Sequence, residues 1–299
     1  MNGYKKIIQS QALRHKILHF LKFVPDEAMI KLQYWIKLRR LPDLKNPKRY
    51  TEKLQWYKLN HRDPVMMQCV DKYGVRAYVE SKGLGHILNT LYQVVDQPEQ
   101  LDFDSLPDKF VIKTTNGSGT NIICRDKAGL NQAETMEKLR EFLSMAEASA
   151  GREWAYSGSS KKIIAEQLLE DPANQDKGIS DYKFQCFGGE VACIVYDKDR
   201  FTDHKRNFYD PQWNYIPVDS DHPCFGDTVE KPENLDEMVQ IARKLSEDFP
   251  AVRVDLYNIG GKIYFGELTF YPWSGYVQFT PDAFDFELGE KFVLPENRV

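Results

Sequence analysis

The chain has 299 residues, a formal net charge of -4, and 42% hydrophobic and 28% charged residues. That length and balance predict two domains with buried cores, and exclude a disulfide-stapled miniprotein and a disordered low-complexity chain. No apolar run is long enough to cross a bilayer as a helix. The opening MNGYKKIIQSQALRHK lacks the unbroken apolar stretch and cleavage site of a secretion signal. The five cysteines are odd in number and widely spaced, with no CxxC pair. That pattern predicts reduced thiols in a cytoplasm and no zinc site.

Residues 1–49 carry twelve Lys/Arg against Asp26, Glu27 and Asp43, a local excess of +9, so the remainder carries -13. Such asymmetry points to a negatively charged partner at the N-terminal end: a membrane surface, an acidic glycan or nucleic acid. Lys5 to Phe23 has helical periodicity, and DEAMIKLQYWIKLRR reads as a second helix with Met29, Leu32, Trp35 and Ile36 on its apolar face. Two packed helices with solvated lysines and arginines account for this region; a reversible contact with an anionic membrane is the sharper alternative. No nucleic-acid-binding motif accompanies the charge.

After the Pro-rich joint LPDLKNP, helix resumes at Thr51–Tyr57 with Thr51 as its cap. DKYGVRAYVESKG, starting at Asp71, reads as a helix ended by Gly83 and Gly85. Thr90–Asp96 reads as a strand. Phe110–Lys113, a glycine-rich loop and Asn121–Cys124 form a strand–loop–strand unit, and a helix is expected from Asn131 to Met145. Lys161–Leu169 contains a buried strand. Tyr182–Phe187 and Val191–Tyr196 make a hairpin, Glu233–Phe249 an amphipathic helix, and Val252–Leu256 with Lys262–Leu268 a second hairpin about the Asn258–Gly261 turn. Helices mixed with antiparallel hairpins predict an α+β fold.

Three constellations carry chemistry. In the loop after Lys113, Gly117, Ser118, Gly119 and Thr120 offer main-chain N–H groups that phosphate oxygens can approach, although an ordinary hairpin turn explains the same residues. It is neither a Walker loop nor a dinucleotide fingerprint. Asp255 and Glu267 lie on paired strands where two carboxylates can meet. Side by side they repel unless a proton or cation intervenes, and magnesium suits one or two carboxylates plus substrate phosphates. Arg253 shares the parity of Asp255 and can instead neutralise it. Glu166-Gln167-Leu168-Leu169 ends a strand where main chain and carboxylate could meet a purine edge; on its own, a core strand with a charged end explains it better. The run Phe270–Tyr276 follows the acid pair, and Ser274-Gly275 breaks it as a loop would.

Taken in order, Asp71-Lys72, Lys113 before a glycine-rich loop, Glu166-Gln167-Leu168-Leu169, and Asp255 with Glu267 on a hairpin resemble the ATP-grasp superfamily. NPKRYTEKLQWYKL, DKYGVR and VRVDLY…GKIYFGELTFYP are similar to its TupA-like branch, named for teichuronopeptide biosynthesis, over roughly residues 46–296. The resemblance implies two α+β lobes clasping ATP: a helical basic region over 1–70, a first lobe over 71–165 and a second over 166–299. It implies that Lys72 and Lys113 hold phosphates under the Gly117–Thr120 loop. Glu166, Gln167 and Leu168 would take adenine, Asp181 the ribose and Lys183 a phosphate. Asp255, Glu267 and Thr269 would hold Mg2+, with Thr269 where many relatives place an Asn. Arg253 would stabilise an oxyanion.

The activity so implied is an ADP-forming carboxylate–amine ligase working through an acylphosphate in surface-polysaccharide biosynthesis. It would join a uronic acid or similar carboxylate to an amino acid or amine. Arg200, Lys205 and Arg206, with Ser274 and Gly275, are candidate substrate contacts. The expected location is the cytoplasm, peripheral to the inner face of the membrane. A capsule or lipopolysaccharide glycosyltransferase is the rival reading, resting on the DxD triplets Asp197–Asp199, Asp102–Asp104 and Asp219–Asp221. A non-catalytic nucleotide-binding scaffold is the second rival.

Overall fold

The computed structural model describes residues 23–115, 119–145, 151–157, 161–172, 178–199, 203–226 and 229–296. The expected helix over Lys5–Phe23 therefore lies almost wholly outside the described residues, as do Gly117, Ser118 and Arg200.

The described N-terminal part is helical: α1 (Asp26–Leu38), α2 (Tyr50–Asn60), α3 (Pro64–Val70) and α4 (Gly74–Ser81). The face of α1 differs from the one expected. Met29, Ile30, Tyr34 and Leu38 are buried, while Leu32 and Trp35 are about half exposed. Tyr34 sets this rotation, because its hydroxyl bonds Thr51 at 2.8 Å and its ring packs edge-on against Tyr276. Nor is Thr51 a cap. It lies in the first turn of α2, and its main-chain N–H and hydroxyl both donate to Asp285, at 2.9 and 2.8 Å. Asp285, from α7 (Ala283–Lys291), thus supplies the negative charge that a helix N-terminus favours, and ties the two ends of the chain together. Helix α3 starts as physics expects: Pro64 needs no N–H partner at the first position, and the Asp63 side chain accepts from Val65.

Among the described residues every strand pairing is antiparallel. The smaller sheet holds β1 (Leu91–Val95), β4 (Ile163–Gln167), β2 (Phe110–Thr114) and β3 (Asn121–Cys124), in that order. Helix α5 (Gln132–Ser144), capped by Asn131, covers it through Leu139, which packs with Phe110, Ile112, Ile163 and Ala165. The expected lobe boundary at 165/166 falls inside β4, whose Glu166 and Gln167 remain in this sheet.

The larger sheet has the order β10 (Lys262–Thr269), β9 (Ala251–Ile259), β5 (Asp181–Phe187), β6 (Glu190–Lys198), β7 (Lys205–Tyr209), β8 (Tyr215–Ile216). Helix α6 (Leu235–Ser246) covers one face, burying Leu235, Met238, Ile241, Ala242 and Leu245 against it. Each of its large aliphatic side chains contributes roughly 1.5–3 kcal/mol by leaving water. On the opposite face the strands turn polar side chains inward, and there the candidate site is built. Among the described residues no helix is long and apolar enough to cross a membrane.

Candidate functional site

Strand parity assembles the site. Asp181 and Lys183 on β5, Asp197 on β6, Arg206 on β7 and Arg253 and Asp255 on β9 are joined on one face by register and hydrogen bonds. β10 joins them through a bulge. Its turn, Gly260-Gly261 with φ of 57° and 83°, is the two-residue kind that matches strand twist. An unbroken ladder from that turn would set Gly266 opposite Asp255 and rotate Glu267 to the apolar face. The register shifts between Phe265 and Glu267, and so Glu267 pairs with Asp255 and Thr269 with Arg253. Glycine is needed at the bulge: a Cβ on Gly266 would lie 2.9 Å from the Asp255 carbonyl.

Charges of alternating sign run across this face. Arg253 donates from Nε and Nη2 to the two Asp255 oxygens at 2.6 Å each, and from Nη2 to Glu267 at 3.0 Å and Thr269 at 3.1 Å. Lys183 donates to Asp181 at 2.7 Å and Asp197 at 2.8 Å. Asp197 also accepts two bonds from Arg206, whose other nitrogen bonds Asp221. The Trp273 indole N–H donates to Asp221 at 3.1 Å, and the His204 and His222 rings pack 3.7 Å apart beside this cluster.

Burial and charge compete at each acid. At Asp255 burial wins over Arg253 and Lys183, pushing its carboxyl up to about 6. Glu267 shifts the other way: burial is outweighed by Arg253, the Thr269 hydroxyl, Lys72 and Lys183, and its pKa falls. Its side chain, 56% exposed, is the solvent-facing end of the pair. Asp197 is held well below the usual carboxylate range because Arg206 and Lys183 outweigh its burial. Two carboxylates with a hydroxyl form a hard-oxygen donor set, which suits magnesium completed by phosphate oxygens. Among the described residues no group of three or more His, Cys, Asp or Glu gathers as a metal cluster.

The smaller sheet faces this site with its own pair. Lys113 on β2 is hydrogen-bonded to Glu166 on β4, so the residues expected at the phosphate and adenine ends of a nucleotide meet each other here. The main chain of Gln167 is engaged by Thr90 and Asn89. At the base of the glycine-rich loop, Thr114 bonds Thr120 through main chain and hydroxyls, and Gly119 takes φ of 77°. Lys72 lies between the sheets, its main-chain N–H on the Thr115 carbonyl at 2.8 Å. Burial and Lys113 lower its pKa, opposed by Glu267 on one side and by Glu166 on the other.

Of the expected substrate contacts, Arg206 is buried within the ion network, and Lys205 pairs with Asp203 at 3.1 Å. Ser274 and Gly275 belong to a turn in which Trp273, Ser274 and Gly275 all have positive φ, at 52°, 55° and 66°. That turn is held from α2. Lys58 donates to the Ser274 carbonyl at 2.8 Å and hydroxyl at 3.0 Å, and Gln55 to the Ser274 and Gly275 carbonyls. Sequence reasoning missed Lys58, Gln55 and the two histidines, and named Asp221 only within a DxD triplet. The available signal was in α2, where Thr51, Gln55 and Lys58 occupy spacings that a helix buries.

The family described as TupA-like ATPgrasp matches residues 52–293. No curated protein matches the chain. Among solved structures, D-alanine–D-alanine ligase from Bacillus anthracis complexed with ATP is similar at 16% identity and a TM-score of 0.40, covering 68% of this chain and 53% of that one. The L-amino acid ligase from Bacillus licheniformis is similar at 15% identity and 0.42, covering 94% and 60%. D-alanine–D-alanine ligase from Helicobacter pylori stands at 12% and 0.43, covering 83% and 68%. The chain thus spans little more than half the length of the first two proteins.

Proposed function

We propose a function from one premise: this chain belongs to the TupA-like ATP-grasp family. It is an ATP-dependent ligase that activates a carboxylate as an acylphosphate and passes the acyl group to an amine, forming an amide, ADP and phosphate. The observation that carries this reading is the β9–β10 hairpin, where Asp255, Glu267, Thr269 and Arg253 converge on the side facing Lys72 and the smaller sheet.

The chemistry follows from charge. A carboxylate is a poor electrophile. When one of its oxygens attacks the γ-phosphorus, ADP departs and the carbon gains a phosphate leaving group. Lys72 and Lys113 offset negative charge on the phosphate oxygens, with Lys113 leaving Glu166 to do so, and the Gly117–Thr120 loop shields the intermediate from water. Mg2+ held by Asp255 and Glu267 would supply Lewis-acid charge stabilisation at the phosphates. Arg253 stabilises the oxyanion as the amine attacks, and phosphate leaves. Glu166, with the main chain near Leu168, takes adenine, and Asp181 the ribose.

For substrates we propose a uronic acid or similar carboxylate of a surface glycan, free or lipid-linked, and an amino acid or small amine. The proposed contacts are Ser274, Gly275, Arg200 and Lys205; Arg206 is committed to Asp197 and Asp221 and holds that network instead. The excess of +9 over residues 1–49 suits an acidic glycan or an anionic membrane at the cytoplasmic face.

The test is release of ADP and phosphate from ATP and Mg2+ against a panel of uronic acids and amino acids. We expect sustained ADP release only when a carboxylate and an amine are both present, because without the amine the reaction stops at the acylphosphate after one turnover. Glu267→Gln and Lys72→Met should each lower the rate about 100-fold or more. Release of AMP, or of a nucleoside diphosphate from a sugar donor, would reject the ligase.

A further inference from the structure

Each of the three residues assigned to magnesium gives at least one oxygen to the same guanidinium. Arg253 meets Asp255 twice at 2.6 Å, Glu267 at 3.0 Å and Thr269 at 3.1 Å. The set closes on itself, since the Thr269 hydroxyl accepts from Arg253 and donates to Glu267 at 2.9 Å. The side chains of Arg253 and Asp255 are 12% and 7% exposed, against 56% for Glu267. A cation arriving from water therefore meets Glu267 first, and reaches Asp255 only where the guanidinium now sits.

We infer that Arg253 is a built-in stand-in for the divalent cation: it holds the Asp255–Glu267–Thr269 oxygens in the nucleotide-free chain, and yields them only when a nucleotide's phosphates accompany the metal. The inference rests on the ligase reading and adds an order of events to it. Two carboxylates carry two negative charges, and Arg253 already neutralises one. A divalent ion placed beside the guanidinium would leave the cluster net positive. Lys183 stands in register with Asp255 on the neighbouring strand, and Lys72 acts on Glu267 from the other side. Unlike charges within a few ångströms attract and like charges repel, most strongly where water is excluded. Phosphate oxygens reverse the balance: they give the metal further ligands and give Arg253 a new partner. Binding of metal and nucleotide is then mutually dependent, each raising the other's affinity by the same factor. The guanidinium so displaced becomes available to an oxyanion.

Mn2+ serves as the probe, with free ion read by electron paramagnetic resonance and no turnover required. In the wild-type chain, Mn2+ should bind weakly alone and roughly tenfold or more tightly with a non-hydrolysable ATP analogue. Arg253→Met should raise nucleotide-free Mn2+ affinity by roughly tenfold, the size of one charge–charge interaction at such a site, and shrink the gain from nucleotide. Arg253→Lys, which keeps a cation there, should behave as wild type. If Arg253→Met does not fold, Arg253→Gln carries the same expectation. Unchanged or weaker nucleotide-free binding in the neutral variants, beside a wild type that takes Mn2+ with nucleotide, would overturn the stand-in role alone. A wild type that takes no Mn2+ even with nucleotide would overturn the metal assignment beneath it.

Discussion

Lys58 has no exposed surface, and its three hydrogen bonds go to the Gly151 carbonyl and to the Ser274 carbonyl and hydroxyl. Three acceptors match the three protons of an ammonium, yet burial disfavours the charge. Burial, reinforced by Lys37 and opposed by Glu153, brings its pKa down from 10.5 to about 7. A base whose pKa is depressed on folding is protonated more in the unfolded chain between those two values. Its contribution to stability therefore rises with pH from about 7 to 10.5 and is flat below. Lys58→Met should flatten the slope of melting temperature against pH over that interval, relative to wild type. An identical slope in both proteins would mean that Lys58 does not titrate there. Gln55 keeps the Ser274 and Gly275 carbonyls bonded in the variant, so the turn itself should persist.

At the scale of elements, the β9–β10 hairpin shows what could and could not be read from residue order. That Asp255 and Glu267 lie on paired strands about a glycine turn was legible, because alternation and the Asn258–Gly261 segment announce a hairpin. That they share a face was not derivable by counting, since an unbroken ladder from the Gly260-Gly261 turn sends Glu267 to the core side beside Val254. The signal was Gly266, a glycine in mid-strand, where a bulge is the usual reason. Likewise α1 was legible as a helix but not its face, because a tyrosine bond to Thr51 outweighed the apolar pull of Leu32 and Trp35. Strands β7 and β8 and helix α7 went unread; the polar and aromatic residues that build them acquire order only from the sheet edge and from Asp285 meeting α2. Gly266→Ala tests the bulge. Its Cβ would press on main chain at 2.9 Å and on the Tyr257 ring at 3.3 Å. Backbone cannot swing aside, so the strand must shift, at about 1–3 kcal/mol in urea unfolding. Metal-dependent nucleotide binding should fall with it. Gly260→Ala is the control: its φ of 57° strains an alanine, but nothing lies within 4 Å. It should lower stability and leave that binding intact.

Among the described residues, two large hydrophobic cores are separated by a polar seam, with a small third cluster of Tyr34, Leu38 and Tyr276. One core lies under the smaller sheet and α5, the other under the larger sheet and its helices. Lys72 marks the seam, bonded to Thr115 of the smaller sheet's loop and electrostatically linked to Glu267 of the larger. A nucleotide placed there would touch both lobes while leaving their cores unchanged, so its binding energy should appear as stability of the entire chain. Ligand at about 100 times its dissociation constant adds roughly 2.7 kcal/mol to a folded state that alone binds it. Unfolding entropy of about 2.1 cal/mol/K per residue makes that a rise of about 4 °C in melting temperature for a chain of 299 residues. Differential scanning fluorimetry with Mg2+ and a non-hydrolysable ATP analogue should show a shift of this order. Mg2+ alone should give almost none if Arg253 keeps its hold on Asp255 and Glu267. Glu267→Gln should lose the part of the shift that depends on metal, and Lys72→Met most of the whole, because Lys72 is the cation that both sheets share. A full shift in Lys72→Met would place the phosphates away from the seam and detach the nucleotide from the β9–β10 hairpin.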